Sequence, residues 1–223
     1  MNLLAIDTST ELASVALSCG DELFHKEQGS QRTHAQLLLP MIDELMGDTG
    51  MRINQLDAIV FGCGPGSFTG LRIACSIAKG LAYAHDLNLI PVSSLAAIAW
   101  VVRKQETLRD KPLLAVLDAR MQEMYWAYYP QGQFTAEENV NAVPDIALPE
   151  KQPMVLAGVG VKEYCGGFSQ ALRAQIIKQL TLYPNAAAMI ELVKATAIQP
   201  VTVADARPVY VRNQVTYEQR KGS

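Results

Sequence analysis

The sequence NLLAID at residues 2–7 is a short apolar run that ends in an aspartate. A turn of small hydroxyl-bearing residues follows at 8–10, and small, apolar and β-branched residues resume at 13–17. A third run, 22–27, begins after a Cys-Gly-Asp turn. Short runs separated by tight turns predict an antiparallel three-stranded meander, with the first two strands inside the sheet.

Helices and strands are expected to alternate after this meander. Leucine and methionine side chains at three- and four-residue spacing predict a helix over residues 34–46, with Thr33 as its N-cap. The remaining predictions are strands at 57–61 and 88–92, and helices at 71–84 and from Ser93 or Ser94 to 103. The order β-β-β-α-β-α-β-α is typical of a mixed-sheet α/β lobe, which we assign to residues 1–103.

A second, smaller lobe is predicted for residues 104–223. It begins with a polar segment, KQETLRDKP at 104–112, whose composition favours a hinge. The expected elements are strands at 113–117, 123–129, 133–135 and 154–157, a mostly irregular stretch at 136–153 that holds three prolines, and a helix at 185–195. The order of strand, acidic turn at Asp118 and strand repeats the pattern that opens the chain.

The composition predicts a folded, cytosolic protein without a metal site. The chain has 223 residues, 49% of them hydrophobic, which is enough to form a sizeable core. A net charge of -3 argues against a chain that binds nucleic acid or an anionic membrane alone. The four cysteines and three histidines fall in no metal-ligand spacing, and no apolar run reaches the 18 or so residues of a membrane span.

The most unusual segment is GCGPGSFTG at residues 62–70, here called the glycine loop. It follows a predicted strand and precedes a predicted helix, so its backbone N–H groups are suited to holding an anion. It lacks the lysine of a Walker A loop, and Ser67 lacks the G-x-S-x-G frame of a serine nucleophile. The alternative interpretation is a tight turn that lets the strand and the helix pack closely.

The two halves together resemble the duplicated fold of actin, sugar kinases and heat-shock ATPases. This resemblance implies a two-lobe actin-like ATPase (ASKHA) fold with duplicated mixed sheets and a reduced second lobe. In that fold, aspartates at the ends of the first strands hold phosphate and hydrated magnesium, which implies a weak, vestigial nucleotide site at Asp7, Thr8, Ser9, Asp118 and Gly158. The alternative is that both aspartates are exposed turn formers that bond their own backbone.

The two long helices of the first lobe carry wider apolar faces than one sheet requires. One interpretation is that each helix is sandwiched within its own lobe. The other is that their outer faces form an interface with another chain. The residues assigned to that interface are His34, Leu38, Met41, Ile42, Leu45, Ile73, Ile77 and Leu81.

Five segments together resemble the bacterial TsaB (YeaZ) family, in the family's order and over nearly the whole chain. They are LAIDTS at 4–9, THAQ at 33–36 with LP at 39–40, GPGSFTGLRI at 64–73, DAR at 118–120 before EMY at 123–125, and PVYVR at 208–212. GPGSFTGLRI is highly specific, whereas the aspartate motifs alone are weak signals.

The family resemblance implies a non-catalytic subunit required for threonylcarbamoyladenosine (t6A) modification of tRNA. It implies that the chain binds the transferase TsaD, works with the ATPase TsaE, and meets tRNA only through that complex. The metal-ligating H-x-x-x-H pair of TsaD is absent, since Ser94 and Ile98 stand in the equivalent stretch. We therefore expect no resident cofactor, with weak ATP or ADP binding at most, and a homodimer through the same helices is plausible.

Two enzymatic alternatives remain open. The first is a small phosphotransferase of the acetate- or sugar-kinase type that uses Asp7 and Asp118 around magnesium. The second is a hydrolase, which is implied only by the superfamily's old classification with glycoproteases, and the absent metal and triad spacing count against it.

Overall fold

The computed structural model describes residues 1–29, 34–148 and 151–211, and it contains two five-stranded mixed sheets. The first sheet has the order β3-β2-β1-β4-β5, and the second has the order β10-β9-β6-β7-β8. The strands are β1 (Leu3–Asp7), β2 (Leu12–Cys19), β3 (Glu22–Gly29), β4 (Ala58–Gly64), β5 (Asn88–Ser93), β6 (Leu113–Asp118), β7 (Glu123–Tyr129), β8 (Glu138–Ala142), β9 (Met154–Gly158) and β10 (Ile176–Thr181). The helices are α1 (His34–Thr49), α2 (Phe68–His85), α3 (Ser94–Arg103), the short α4 (Val161–Tyr164) and α5 (Gln170–Arg173), and α6 (Ala186–Ala195).

The inner strands β1 and β4 of the first sheet are buried on both faces, which explains their nearly continuous apolar sequences. In β1, Leu4 and Ile6 face the layer of α1 and α2, whereas Leu3 and Ala5 face the layer of α3 and α6. The opening meander is confirmed, because β1 pairs antiparallel with β2 and β2 with β3. The parallel strand β4 then pairs with β1, which places β1 and β2 inside the sheet as predicted.

The second sheet repeats this arrangement at smaller scale. β6 pairs antiparallel with β7 and parallel with β9, as β1 pairs with β2 and β4. Its outer face is covered by the short helices α4 and α5 and by the segment after β8, which contributes Val143 and Ile146, around a core that includes Leu114 and Leu156. The second lobe is therefore the reduced one.

Helices α3 and α6 each pack mainly on the sheet that the other half of the sequence forms. α3 follows the last strand of the first sheet but packs mainly on β6 and β9, whereas α6 lies near the end of the chain and packs on β1, β2 and β4. The two helices also contact each other, since Trp100 Nε1 and Lys104 Nζ donate to the carboxylate of Glu191 over 2.9 and 2.6 Å. The boundary between the lobes at residue 103 remains a prediction. The first lobe is not formed by residues 1–103 alone, because α6 packs on its sheet.

The segment after α6 also returns to the first lobe. Leu89 in β5 pairs with Val201, and Val209 donates a backbone hydrogen bond to Cys63 over 2.8 Å. At its end, Arg72 in α2 donates to the hydroxyl of Tyr210 over 3.0 Å. The PVY sequence of the tail thus lies beside the glycine loop and the start of α2.

The structure corrects several predicted elements. No strand forms at 133–135, because the strand that pairs with β7 is β8, inside the stretch predicted to be irregular. β10, α4 and α5 were not predicted, and α2 begins three residues earlier than expected, at Phe68, with Ser67 as its N-cap. Ser93 caps α3, as one of the two predicted candidates. The predicted cap Thr33 lies outside the described residues.

Within the three described ranges, none of the helices has both the length and the apolar character that a bilayer span requires.

Candidate functional site

A cleft of about 770 Å³ lies between the lobes, where the strands bearing Asp7 and Asp118 end. The first lobe contributes the turn after β1 and the glycine loop, and the second contributes the turn after β6 and the start of α4. In a sheet with parallel strands, this is where ligands bind. The residues predicted to bind a nucleotide should therefore line this cleft.

Asp7 does not line this cleft, which corrects the expectation that it is exposed. Its side chain is fully buried, and Oδ2 accepts a hydrogen bond from the Ser9 hydroxyl over 3.0 Å. Oδ1 has no hydrogen-bond partner among the described residues, and a Cβ at Gly62 would lie only 2.0 Å from it. Burial raises the pKa of Asp7 to about 7, and the hydrogen bonds from Ser9 only partly offset this effect.

The glycine loop closes over the Asp7 turn (residues 7–10). Ser67 donates its backbone N–H to the carbonyl oxygen of Ser9 over 2.7 Å. A Cβ at Gly66 would lie 2.3 Å from that same oxygen, so only glycine permits this approach. Gly70 makes an equally close contact with Thr8. The loop thus occupies the space over the turn, which favours the tight-packing interpretation of this motif over an anion cradle.

Asp118, on the second lobe, does reach the cleft, and neighbouring side chains hold its carboxylate. It accepts the backbone N–H of Arg120 over 2.7 Å and the Arg120 guanidinium over 3.1 Å. The Tyr164 hydroxyl donates to it over 3.1 Å. Gly158 lies beneath the cleft, where its close contact with the carbonyl oxygen of Val116 leaves no room for a side chain. This contact is a packing requirement of β6 and β9.

The cleft therefore brings together two of the five predicted residues, Ser9 and Asp118, and leaves Asp7, Thr8 and Gly158 buried. Sequence reasoning missed Glu11 and Tyr183, which meet across the lobes when the tyrosine hydroxyl donates to the carboxylate over 2.9 Å. They are 172 positions apart, so no local pattern could have paired them. The cleft is lined with hydrogen-bonding groups, but it holds no pair of facing carboxylates from Asp7 and Asp118.

The start of α3, which is expected to correspond to the metal-ligating stretch of TsaD, is buried. Ser94 and Ile98 are both fully covered, and the Ser94 hydroxyl has no hydrogen-bond partner among the described residues. Across residues 1–29, 34–148 and 151–211, no group of three or more histidine, cysteine, aspartate or glutamate side chains is placed to hold a metal ion.

The chain is similar over its full length to proteins named for a tRNA modification. The family model described as TsaD, tRNA N6-adenosine threonylcarbamoyltransferase, matches residues 24–203. A relative from Haemophilus influenzae, named tRNA threonylcarbamoyladenosine biosynthesis protein TsaB, is 35% identical, with 100% of this chain and 98% of the relative covered. The Escherichia coli protein of the same name is 34% identical, with 100% and 99% covered. The chain belongs to the TsaB family.

Solved structures agree with this membership in the TsaB family. YeaZ from Pseudomonas aeruginosa has a TM-score of 0.84 and 34% identity, with 94% of this chain and 99% of that chain covered. A second Pseudomonas aeruginosa structure, described as similar to peptidase YEAZ, has the same TM-score and identity. The predicted two-lobe actin-like fold with duplicated mixed sheets is confirmed.

The structure places most of the residues assigned to an interface inside the first lobe of this TsaB family member. Five of the residues assigned to an interface are buried against the first sheet, because α1 turns its leucine and methionine face inward; they are His34, Leu38, Met41, Ile42 and Leu45. Ile73, Ile77 and Leu81 on α2 are half-buried. The outward face instead shows Leu39, 52% exposed, and Phe68, 54% exposed. These two residues, with Ala35, Ile73 and Ile77, line an open groove of about 480 Å³ between α1 and α2, here called the outer groove.

Proposed function

We propose that this chain takes part in t6A biosynthesis as an accessory subunit that binds the transferase TsaD. The observation that carries the proposal is the full-length similarity to two proteins named for that pathway, each covered almost completely. The non-catalytic role is proposed from the chain's own residues in and beside the cleft.

The burial of Asp7 supports an accessory role over a phosphotransferase. A kinase of this fold needs a carboxylate that is ionised and open to hydrated magnesium. Asp7 is fully buried, Gly62 of the glycine loop lies directly against its carboxylate, and the Met189 methyl group of α6 lies close to the same glycine. Asp118 alone, already engaged by Arg120, does not supply the second half of a magnesium site. Any contact with ATP or ADP in the cleft is therefore expected to be weak.

The outer groove supports the choice of surface for TsaD. Leucine, isoleucine and phenylalanine side chains line it, and an exposed apolar strip flanked by polar residues is typical of a protein-binding face. Two helices from a related lobe of TsaD would pack on α1 and α2 and form a four-helix contact. A second copy of this chain is the competing occupant, because a face that accepts a paralogue can accept a copy of itself.

We expect TsaE and tRNA to act with this chain through their association with TsaD. The net charge of -3 gives the chain no general attraction for a polyanion, so tRNA is expected to contact the complex through other subunits.

A reconstitution experiment tests this role. Purified TsaD, TsaE, the threonylcarbamoyl donor and unmodified tRNA are combined with or without this chain, and t6A is measured by mass spectrometry of the digested tRNA. We expect modification over many turnovers only when the chain is present. Equal t6A yield without it would contradict the proposed function, and t6A formation by the chain without TsaD would contradict the non-catalytic role.

A further inference from the structure

A second pocket, separate from the interlobe cleft, opens on another side of the molecule. It has a volume of about 510 Å³, within the range of about 300–1,000 Å³ that is usual for small-molecule sites. Its walls come from both lobes: the end of β5, the start of α3, the β7–β8 region and the end of α6. No residue lines both this rear pocket and the cleft.

The walls of the rear pocket are mostly apolar. Pro91, Ala96, Leu192 and Ile198 form much of the surface, and Phe134 from the β7–β8 connection stands at one side. Thr196 turns its hydroxyl away into a hydrogen bond with the carbonyl oxygen of Leu192 over 2.6 Å. An apolar body of modest size is the kind of group that such walls accept.

Glu138 supplies the only ionisable carboxylate of the pocket, and no cationic side chain lines it. Its Oε1 accepts a hydrogen bond from the Ser93 hydroxyl. Ser93 Oγ also accepts the backbone N–H of Ala96 over 3.1 Å as the N-cap of α3, which fixes the position of this oxygen. The carboxylate is thus held in place by a helix cap.

Glu138 is half-buried, and no cationic side chain among the described residues forms an ion pair with it. Desolvation raises its pKa despite the hydrogen bond from Ser93. A carboxylate that is partly desolvated and has no cation beside it carries a desolvation cost, and a ligand that brings a cation reduces that cost. A chloride, phosphate or carboxylate ligand would meet repulsion at the same place.

We propose that the rear pocket binds a small protonated amine whose apolar body rests on Pro91, Leu192 and Ile198 and whose ammonium group pairs with Glu138. The ammonium donates to the carboxylate, and Ser93 keeps the carboxylate oriented toward the pocket. This site is independent of the proposed role in t6A biosynthesis, since neither the cleft nor the outer groove contributes to it.

The experiment uses phenethylamine hydrochloride as the probe and 2-phenylethanol as its neutral isostere. Each is titrated into the full ¹⁵N-labelled chain, and amide chemical shifts report both the affinity and the location. We expect the amine to shift amides around Ser93, Ala96 and Leu192 and to bind at least about tenfold more tightly than the alcohol, because only the amine forms the charge pair.

Three variants locate the effect. E138Q keeps a hydrogen-bond acceptor for Ser93 but removes the charge, and it should weaken amine binding about tenfold or more while leaving alcohol binding unchanged. E163Q is the matched control, because Glu163 lines the interlobe cleft, and it should change nothing. A197W places a bulky ring at an exposed position on the pocket wall and should weaken both probes; it carries the test if E138Q does not fold.

Three results would overturn the proposal. They are equal amine affinity in wild type and E138Q, loss of amine binding in E163Q, and the absence of any amide shift near the rear pocket at millimolar amine.

Discussion

The Thr8 hydroxyl donates a hydrogen bond to the carbonyl oxygen of Gly70 over 2.7 Å, and a Cβ at Gly70 would lie 1.8 Å from the carbonyl oxygen of Thr8. These two residues are 62 positions apart in the sequence, and their backbones are in direct contact. The first turn of α2 and the Asp7 turn are therefore packed directly against each other.

This contact predicts a large effect of Gly70→Ala. The new methyl group has only backbone to displace, so we expect a loss of unfolding free energy on the order of 3 kcal/mol or failure to fold. Gly80→Ala in the same helix is the matched control, since a Cβ there meets nothing within 4 Å. Alanine is the better helix former, so the control should gain up to about 1 kcal/mol. Urea unfolding compares the two, and equal stability would refute the close contact.

The buried carboxyl of Asp7 predicts stability that falls as pH rises. Its pKa in the folded chain, about 7, lies above the unfolded value near 4, so the folded state binds the extra proton between these pH values. The stabilising contribution is complete below about pH 4 and is lost as pH rises through about 7, a change on the order of 4 kcal/mol.

Asp7→Asn isolates this effect. The amide cannot ionise, and its oxygen can still accept the hydrogen bond from Ser9. We expect the variant to be more stable than wild type at pH 8, with a flatter dependence of unfolding free energy on pH between 4 and 7. An unchanged slope in urea titrations over that range would show that Asp7 is not the group responsible.

The closed glycine loop predicts weak nucleotide binding by the isolated chain. Calorimetry with ATP and magnesium should give a dissociation constant weaker than about 100 μM, because Asp7 contributes no ligand and the loop fills the space above the turn. Micromolar or tighter binding would mean that the cleft holds phosphate by residues other than those of the Asp7 turn.

Two adjacent residues of α1 distinguish the proposed TsaD interface from the core. Leu39 is 52% exposed and lines the outer groove, whereas Leu38 is 0% exposed. Leu39→Glu should keep a melting temperature near wild type and abolish co-purification with TsaD, because it buries an unpaired charge only in the complex. Leu38→Glu should unfold the chain.

A second substitution on the facing helix checks the outer groove. Ile77→Glu is expected to act like Leu39→Glu, although its half-buried side chain also contacts the core and a modest loss of stability is expected. If both variants fold and still bind TsaD with unchanged affinity, TsaD binds elsewhere, and the second lobe becomes the better candidate.

The opening meander, the alternating helices and strands of the first lobe and the Asp118 turn were predictable because each follows a local pattern. β10 was missed because it is a half-exposed edge strand, IIKQLT, whose identity depends on pairing with β9. The burial of Asp7 was missed because it depends on Gly62 and on Met189, which lie far from it in sequence. Likewise, no pattern in α1 shows which of its apolar residues meet the sheet until the position of the sheet is known.

The packing of α6 on the first sheet has a consequence for how the chain folds as it is synthesised. One face of the first sheet is only partly covered after Ser93 has left the ribosome, because α6, which packs on β1, β2 and β4, begins only at Ala186. At about 5–20 residues per second, this delay lasts roughly 5–20 s, during which apolar strands are open to wrong partners. Nascent chains of this protein are therefore expected to be clients of ribosome-bound chaperones until α6 emerges. Of the helices that the structure describes, α6 is the last to be made, and it completes the first lobe.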